Sequence, residues 1–228
     1  MGGYLETSLT YKTATKLLFS HELPLNFAIT TDESKRLIEE VERIEIDSIL
    51  KIIDSNELPN TIEVTQLPQF GSVRMVAKVP KEIRDSRNVD ISYAQIGFLL
   101  RRDPNVSFIA NQKYGETHLK GAIMVGLVYR RDKKTSSSIL TSGFCEIDEE
   151  GKQDLIVRKL FLRIIPLQLL LQKAKDKKVN VFTFIDSRIS EKTQQRRIGC
   201  LKMICRELKQ LNNDELNRRI NNIDWTFE

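Results

Sequence analysis

Apolar residues recur at helical spacing along most of this chain, and the pattern is clearest near its middle. Three helices are predicted there in succession, at residues 92–102, 105–112 and 116–125. Residues 113–115, which include Gly115, are expected to break the second helix, because glycine weakens a helix. The third helix places Leu119, Ala122 and Ile123 on the face that is expected to meet a core.

A basic hairpin of two strands is predicted directly after the third helix. Its strands are expected at residues 128–131 and 139–141, joined by a polar, positively charged tip at residues 132–138. A helix that is held by two others, beside a basic hairpin, fits the major groove of DNA and the backbone that flanks it. The pattern therefore predicts a winged-helix unit over residues 91–148.

Residues 1–90 predict a separate layer of helix and strand. Thr30 and Glu33 have the spacing of a capping box, and a helix of roughly 20 residues is expected to follow them. Alternation of apolar and polar residues indicates strands at residues 61–65 and 73–79. A charged linker at residues 81–89 is then expected to lead into the first winged helix.

Residues 149–228 predict a second winged-helix-like unit. Helices are expected at residues 153–163, after Pro166, and from Ser190 to Leu211, where Ser190 is a good N-cap. The last of these helices carries a basic stripe opposite its apolar face: Lys192, Arg196, Lys202, Arg206 and Lys209. The expected fold class is mainly α with small β (α+β), built from tandem winged helix-turn-helix units and an N-terminal α/β layer.

Charge is distributed unevenly along the chain, although the net charge of +5 is modest. Residues 30–58 carry a local balance of −5, whereas residues 99–134 carry +5 and residues 186–210 carry +4. Basic character therefore concentrates on the two segments that are expected to face phosphates. The open alternative is an ordinary lysine-rich surface, on which charge fluctuates in this way.

Composition indicates a cytoplasmic protein with no membrane association. A hydrophobic content of 40% and a charged content of 29% are typical of globular domains. No apolar run approaches the ~20 residues that span a bilayer, and the first residues do not resemble a secretory signal. Three cysteines without paired spacing and two distant histidines argue against a disulfide or a metal site. No cofactor is expected, unless the chain is a nuclease that uses Mg²⁺.

The candidate DNA-binding residues fall into two groups. In the first unit they lie on the predicted recognition helix, which is expected to begin near Gly115, and on the hairpin: Thr117, His118, Lys120, Arg130, Arg131, Lys133 and Lys134. In the second unit they open the long basic helix: Lys192, Gln194, Gln195, Arg196, Arg197 and Lys202. Glutamine pairs with adenine and arginine with guanine, whereas the hairpin cations suit phosphates. The alternatives are that His118 is an ordinary surface histidine, and that the glutamine and arginine turn only serves solubility.

A family resemblance is carried by three stretches of the chain. They are Lys113-Tyr-Gly-Glu-Thr-His-Leu-Lys-Gly-Ala122 with Gly126-Leu127, Ile139-Leu-Thr-Ser-Gly143, and Ile189-Ser-Glu-Lys-Thr-Gln-Gln-Arg-Arg-Ile198. Together they resemble winged-helix modules of bacterial restriction systems, in particular the recognition portion of type IIS restriction endonucleases. The resemblance covers roughly residues 66–212. It implies tandem winged helices that recognise specific DNA sequences, but the separate nuclease domain of those enzymes is not found in this sequence.

Three alternatives to a recognition module or subunit of a restriction-modification system remain open. The first is a winged-helix transcription regulator that acts as a homodimer, and the second is a winged helix that binds another protein. The third is a small type II restriction endonuclease, with Asp148, Glu150 and Lys152 as the candidate magnesium site. Those three residues occupy a polar turn, where charged side chains are expected for solubility alone. Besides double-stranded DNA, the expected partners are a nuclease subunit or a second copy of the chain.

Overall fold

A computed structural model describes residues 10–26, 28–70, 72–86, 91–131, 134–185 and 190–226. The protein is mainly helical, with 66% helix and 6% strand, which confirms the expected mainly α class with small β. Within the described ranges, no helix has both the length and the apolar character needed to cross a membrane.

Four helices make up the described part of the N-terminal region. They are α1 (Tyr11–Phe19), α2 (Thr31–Arg43), α3 (Ile46–Ser55) and α4 (Val73–Ser86). The capping box is confirmed, because Thr30 accepts a hydrogen bond from the backbone of Glu33 and Glu33 accepts one in return. The single helix expected after it is wrong, since extended backbone at Glu45 separates α2 from α3.

Both strands predicted in this region are wrong. Residues 61–65 contribute only a bridge between Ile62 and Ile185 and the start of a short 3₁₀ turn. Residues 73–79 belong to α4, which also includes the first part of the predicted linker. Val73, Val76, Ala77 and Pro80 are all buried in α4, and their spacing of three and four residues suits a helix as well as alternation suits a strand.

Two helices and a hairpin follow α4. They are α5 (Tyr93–Arg101), α6 (Phe108–Met124), β1 (Val128–Arg131) and β2 (Lys134–Ser137). The strands pair antiparallel, with Val128 opposite Ser137. Helix α6 contacts α5, α4 and β1, so it is held by its neighbours on several sides. The second strand lies earlier than expected, because Ile139 and Leu140 are buried in the core and Thr141 begins the next helix.

The remaining elements are mostly helical. They are α7 (Thr141–Cys145), α8 (Glu150–Phe161), α9 (Ile165–Lys173), β3 (Val179–Asn180), α10 (Glu191–Leu208), α11 (Asp214–Asn221) and β4 (Ile223–Asp224). Strands β3 and β4 pair in parallel, with Val179 opposite Ile223, and so do not form the antiparallel hairpin of a second wing. Buried apolar residues of the N-terminal, middle and C-terminal segments, from Ala14 to Ile223, belong to one cluster.

Candidate nucleic-acid interface

Helix α6 is continuous through Gly115, so the two shorter helices predicted here are wrong. Ser107 caps its start by accepting a hydrogen bond from the backbone of Ala110, and the helix runs 17 residues to Met124. Gly115 lies where α5 crosses α6, and a Cβ atom there would come within 1.9 Å of the carbonyl oxygen of Tyr93. The glycine therefore permits a close helix crossing and does not end the helix.

One row of side chains on α6 points away from the core. It consists of Ile109, Lys113, Glu116 and Lys120, spaced so that successive members stack on the same face. Lys120 donates a hydrogen bond to Glu116 at 2.5 Å, and both side chains are about two-fifths exposed. Beside the row, Thr117 is partly exposed and its hydroxyl donates to the carbonyl oxygen of Lys113. The outer face of α6 therefore carries both positively and negatively charged side chains.

His118 does not belong to this face, contrary to the expectation that it lies with Thr117 and Lys120 away from the core. Its side chain is 4% exposed, and Nδ1 lies 2.8 Å from the carbonyl oxygen of Tyr114. Burial lowers the pKa of His118, and the charge of Arg101 lowers it further. The imidazole also packs against the Tyr114 ring, over which Arg101 stacks at 4.0 Å. His118 therefore stabilises the inner side of α6.

Besides Arg101, a second arginine stacks on an aromatic ring near α6, and it belongs to the hairpin. The Arg130 guanidinium lies over the Tyr93 ring, 4.4 Å from its centroid, and its Nη1 atom is buried without a hydrogen-bond partner in the described part of the chain. Arg130 lines a cavity of about 360 Å³ together with Phe108 and Gln112. Lys134 on β2 is exposed. Lys133 and the side chain of Arg131 lie outside the described residues.

The basic stripe predicted on α10 is exposed on that helix. Lys192, Gln195, Arg196 and Lys202 are exposed, whereas the apolar positions Ile198, Leu201 and Ile204 are buried. Gln194 is only 9% exposed and lies on the core side of α10, so it does not share the exposed face of Gln195 and Arg196. It lies four residues before the buried Ile198 and therefore shares its face.

Arg197 on α10 is affected by a charge on α6. Its side chain is partly buried, and Nε and Nη1 have no hydrogen-bond partner among the described residues. Burial and the neighbouring charge of Arg196 lower the pKa of Arg197, while Cys200 and Glu116 act in the opposite direction. Because Glu116 belongs to the outer row of α6, the start of α10 lies within electrostatic reach of that row.

Two of the three residues of the candidate magnesium site form ion pairs with other residues. Asp148 and Glu150 line one cavity, but Glu150 forms an ion pair with Arg74, and Lys152 lies 2.7 Å from Glu42. The hydrogen bond from Arg74 lowers the pKa of Glu150. No group of three histidine, cysteine or acidic residues in the described ranges could hold a metal ion. The polar turn is accounted for by surface ion pairs.

Several exposed residues of this region were not singled out from the sequence. Phe108 and Ile109 are 70% and 76% exposed in the first turn of α6, and Lys113 is exposed one turn later. The available signal was the buried face of α6, in which Asn111, Gly115, His118 and Ala122 recur at spacings of three and four. Ser107, four residues before Asn111, continues the line of this face toward the start of the helix. Ile109 lies on the opposite side of the helix and is therefore exposed.

Most of the basic side chains predicted to contact DNA lack an acidic partner among the described residues. Arg130, Lys134, Lys192, Arg196, Arg197 and Lys202 form no ion pair with a carboxylate in the part of the chain that the structure describes. Cations of this kind are available to bind phosphate or base acceptors. Comparison of the chain with protein-family models, with curated proteins and with solved structures finds no match. The function is therefore inferred from the residues and their geometry.

Proposed function

We propose that this protein binds double-stranded DNA, with α6 at the major groove and the β1–β2 hairpin against the neighbouring backbone. Three helices, α4 to α6, pack on one another and lead into an antiparallel hairpin, which is the element order of a winged helix. The observation that carries the proposal is that the basic side chains predicted to contact DNA on the hairpin and on α10 have no acidic partner in the described ranges.

The charged residues divide between two tasks in this proposal. Arg130 and Lys134 belong to the hairpin and are assigned to phosphates, which supply affinity without sequence information. Gln195, Arg196 and Arg197 are assigned to base edges, because amide and guanidinium groups match the donor and acceptor pattern of adenine and guanine. The proposal uses one winged helix, and α10 supplies a second basic helix, whose Arg197 is affected by the charge of Glu116 on α6.

The biological setting that we propose is a restriction-modification system, in which the chain acts as a recognition module or subunit. The support for this setting is the resemblance over residues 66–212. The ion pairs of Glu150 and Lys152 favour recognition over catalysis by this chain. A nuclease subunit or a second copy of the chain would then be its protein partner.

Duplex binding can be tested directly with a labelled pool of random duplexes and fluorescence anisotropy over a salt series. We expect binding at low salt and a linear fall of the logarithm of the association constant with the logarithm of salt concentration, with a slope near −0.9 for each phosphate neutralised. Rounds of selection should then enrich a defined sequence. A protein that binds no duplex at low salt would refute the proposal.

Alanine at Arg196 and Arg197 is expected to weaken binding to the selected sequence by about 1–3 kcal/mol for each interaction with a base that it removes, and to relax sequence preference. Alanine at Lys134 is expected to weaken binding to all DNA sequences by the same amount and to reduce the salt slope by about 1. The reason is that an interaction with a base distinguishes sequences, whereas an interaction with a phosphate does not. Anisotropy titrations on selected and scrambled duplexes measure both effects.

Lys51→Ala is the matched control for these variants, since Lys51 is exposed on α3 within the acidic segment of the chain. It should leave affinity and salt slope unchanged. Thermal melts confirm that each variant is folded, which matters most for the partly buried Arg197. Equal losses on selected and scrambled duplexes for both groups of variants would contradict the division between base-reading and phosphate-binding residues.

A further inference from the structure

The large apolar side chains that are exposed in the described ranges are all on α5 and α6. Phe98 is 49% exposed, Phe108 is 70% exposed and Ile109 is 76% exposed. A single apolar side chain on a surface, such as Phe98 on α5, is ordinary, but the adjacent pair Phe108 and Ile109 in the first turn of α6 marks a contact surface. Burying one such side chain fully contributes about 1.5–3 kcal/mol, so the patch has a binding free energy to contribute.

Ile109 lies in line with the charged residues of α6. It is the first member of the outer row that continues through Lys113, Glu116 and Lys120. A groove that received Lys120 would therefore receive Ile109 as well. No other apolar residue belongs to this row.

Phe108 lies beside a cation on the other side of the same turn. It lines the cavity of about 360 Å³ that also includes Gln112 and the Arg130 guanidinium. The apolar pair Phe108–Ile109 is therefore surrounded by Arg130 and Lys113, neither of which has an acidic partner among the described residues. An apolar pair of side chains with a cation on either side is complementary to duplex DNA, in which the bases lie between two rows of phosphates.

We propose that Phe108 and Ile109 recognise the C5-methyl group of a pyrimidine in the major groove. This inference rests on the proposed duplex binding. Hydrocarbon side chains cannot pair with the donors and acceptors of a base edge, and the methyl group is the apolar feature that the major groove presents. The methyl group belongs to thymine or to 5-methylcytosine. The DNA sequence bound by the protein then carries such a pyrimidine opposite the first turn of α6.

The test replaces thymine by deoxyuridine, one position at a time, in the selected duplex. This change removes one methyl group and leaves base pairing intact. At the positions that face α6, we expect uracil to weaken binding of the wild-type protein about fourfold, which corresponds to one buried methylene group. Ile109→Ala should bind the thymine duplex more weakly than the wild type and should no longer distinguish thymine from uracil. A parallel series compares cytosine with 5-methylcytosine at each cytosine.

Phe98→Ala is the matched control, because Phe98 is an exposed aromatic residue on α5, outside the first turn of α6. It should keep both affinity and the response to uracil. Phe98 and Phe108 line one apolar groove, so a protein that docked in the groove would need both residues. Thermal melts of the variants show that the fold is intact.

The outcomes separate this inference from the proposed function. Failure of the wild-type protein to bind any duplex refutes both. Sequence-selective binding that ignores uracil at every thymine and 5-methylcytosine at every cytosine overturns the inference and leaves duplex binding in place. A response to uracil that persists unchanged in both Ile109→Ala and Phe108→Ala also overturns it. Equal weakening of binding in Phe98→Ala and Ile109→Ala, with the response to uracil intact, would overturn it in favour of a protein-docking surface.

Discussion

Replacing Gly115 with alanine is expected to lower the free energy of unfolding by ~3 kcal/mol, because the new methyl group would collide with α5. A Cβ atom at Gly115 would lie 1.9 Å from the carbonyl oxygen of Tyr93 and 2.6 Å from the backbone nitrogen of Gly97. Backbone atoms cannot rotate aside as a flexible side chain does. The two helices would have to move apart, and the close packing of α5 on α6 would be disrupted.

The same collision is expected from the opposite helix. A Cβ atom at Gly97 would lie 1.9 Å from the carbonyl oxygen of Asn111, so Gly97→Ala should destabilise the protein to a similar degree. Urea denaturation gives the free energy, and a chain of this length should melt roughly 2–4 °C lower for each kcal/mol of destabilisation. The proposed duplex binding should fall with stability, because α6 depends on α5 for its position.

Gly199→Ala is the control for both variants. Gly199 is exposed on α10, and no atom lies within 4 Å of the place where its Cβ would be. Alanine is favoured over glycine in a helix by about 1 kcal/mol, so this variant should be slightly more stable than the wild type. A Gly115→Ala protein as stable as Gly199→Ala would show that α5 and α6 do not cross closely at these glycines.

Gly115 also shows where local sequence rules reach their limit. Glycine within a helical pattern marks either an end of the helix or a place where another backbone comes close. The two cases share one local sequence, and they differ only in whether a second helix crosses there. The packing of α5 over Gly115 is a tertiary contact, and the helix propensity of the local sequence cannot predict it.

Residues 73–79 were misassigned for a related reason. Their apolar residues fit a strand by alternation and a helix by spacing of three and four, and packing of α4 against α5, α6 and α8 favours the helix. Strong local signals were more reliable, as the capping box of Thr30 and the strand at Val128–Arg131 show. In the capping box the side chains themselves satisfy the backbone amides.

The candidate interface was predictable in part. On α10, the exposed positions Lys192, Arg196 and Lys202 follow from the 3.6-residue period of one helix. Gln194 was misplaced on the same helix, because it was grouped with its neighbours Gln195 and Arg196 as one polar turn. The proximity of Arg197 to Glu116 was not predictable, since 81 positions of sequence separate them and only the packing of the whole chain brings them together.

Arg163→Ala is expected to cost about 3–5 kcal/mol of unfolding free energy, the cost of breaking a buried charged contact and leaving a cavity. Arg163 is 6% exposed, and its Nε donates a hydrogen bond at 2.9 Å to the carbonyl oxygen of Leu18 in the last turn of α1. Burial lowers the pKa of Arg163 to about 10, so the side chain still carries its charge at neutral pH. The C-terminal carbonyl groups of α1 supply the negative potential that compensates it.

The surroundings of Arg163 leave little room for another arrangement. Gly126 has a φ of 77°, and a Cβ atom there would lie 1.8 Å from Nη1 of Arg163. Nη1 has no hydrogen-bond partner among the described residues, and Gln168 donates to the next carbonyl oxygen, that of Phe19. Truncation to alanine would therefore leave the Leu18 carbonyl without the Arg163 donor, beside an empty volume that the fixed backbone cannot fill.

Arg163→Met separates the two contributions to this cost. Methionine fills most of the volume and removes both the buried charge and the unpaired Nη1, so the destabilisation should be limited to about 1 kcal/mol for the missing hydrogen bond. Arg158→Ala is the control on α8, because Arg158 is partly exposed and its ion pairs with Asp154 and Glu207 should contribute less than about 1 kcal/mol. Urea denaturation ranks the three variants by their free energy of unfolding.

If Arg163→Ala were no less stable than Arg158→Ala, the guanidinium would not hold the end of α1. If methionine were as damaging as alanine, the missing guanidinium and not the missing volume would be the cause.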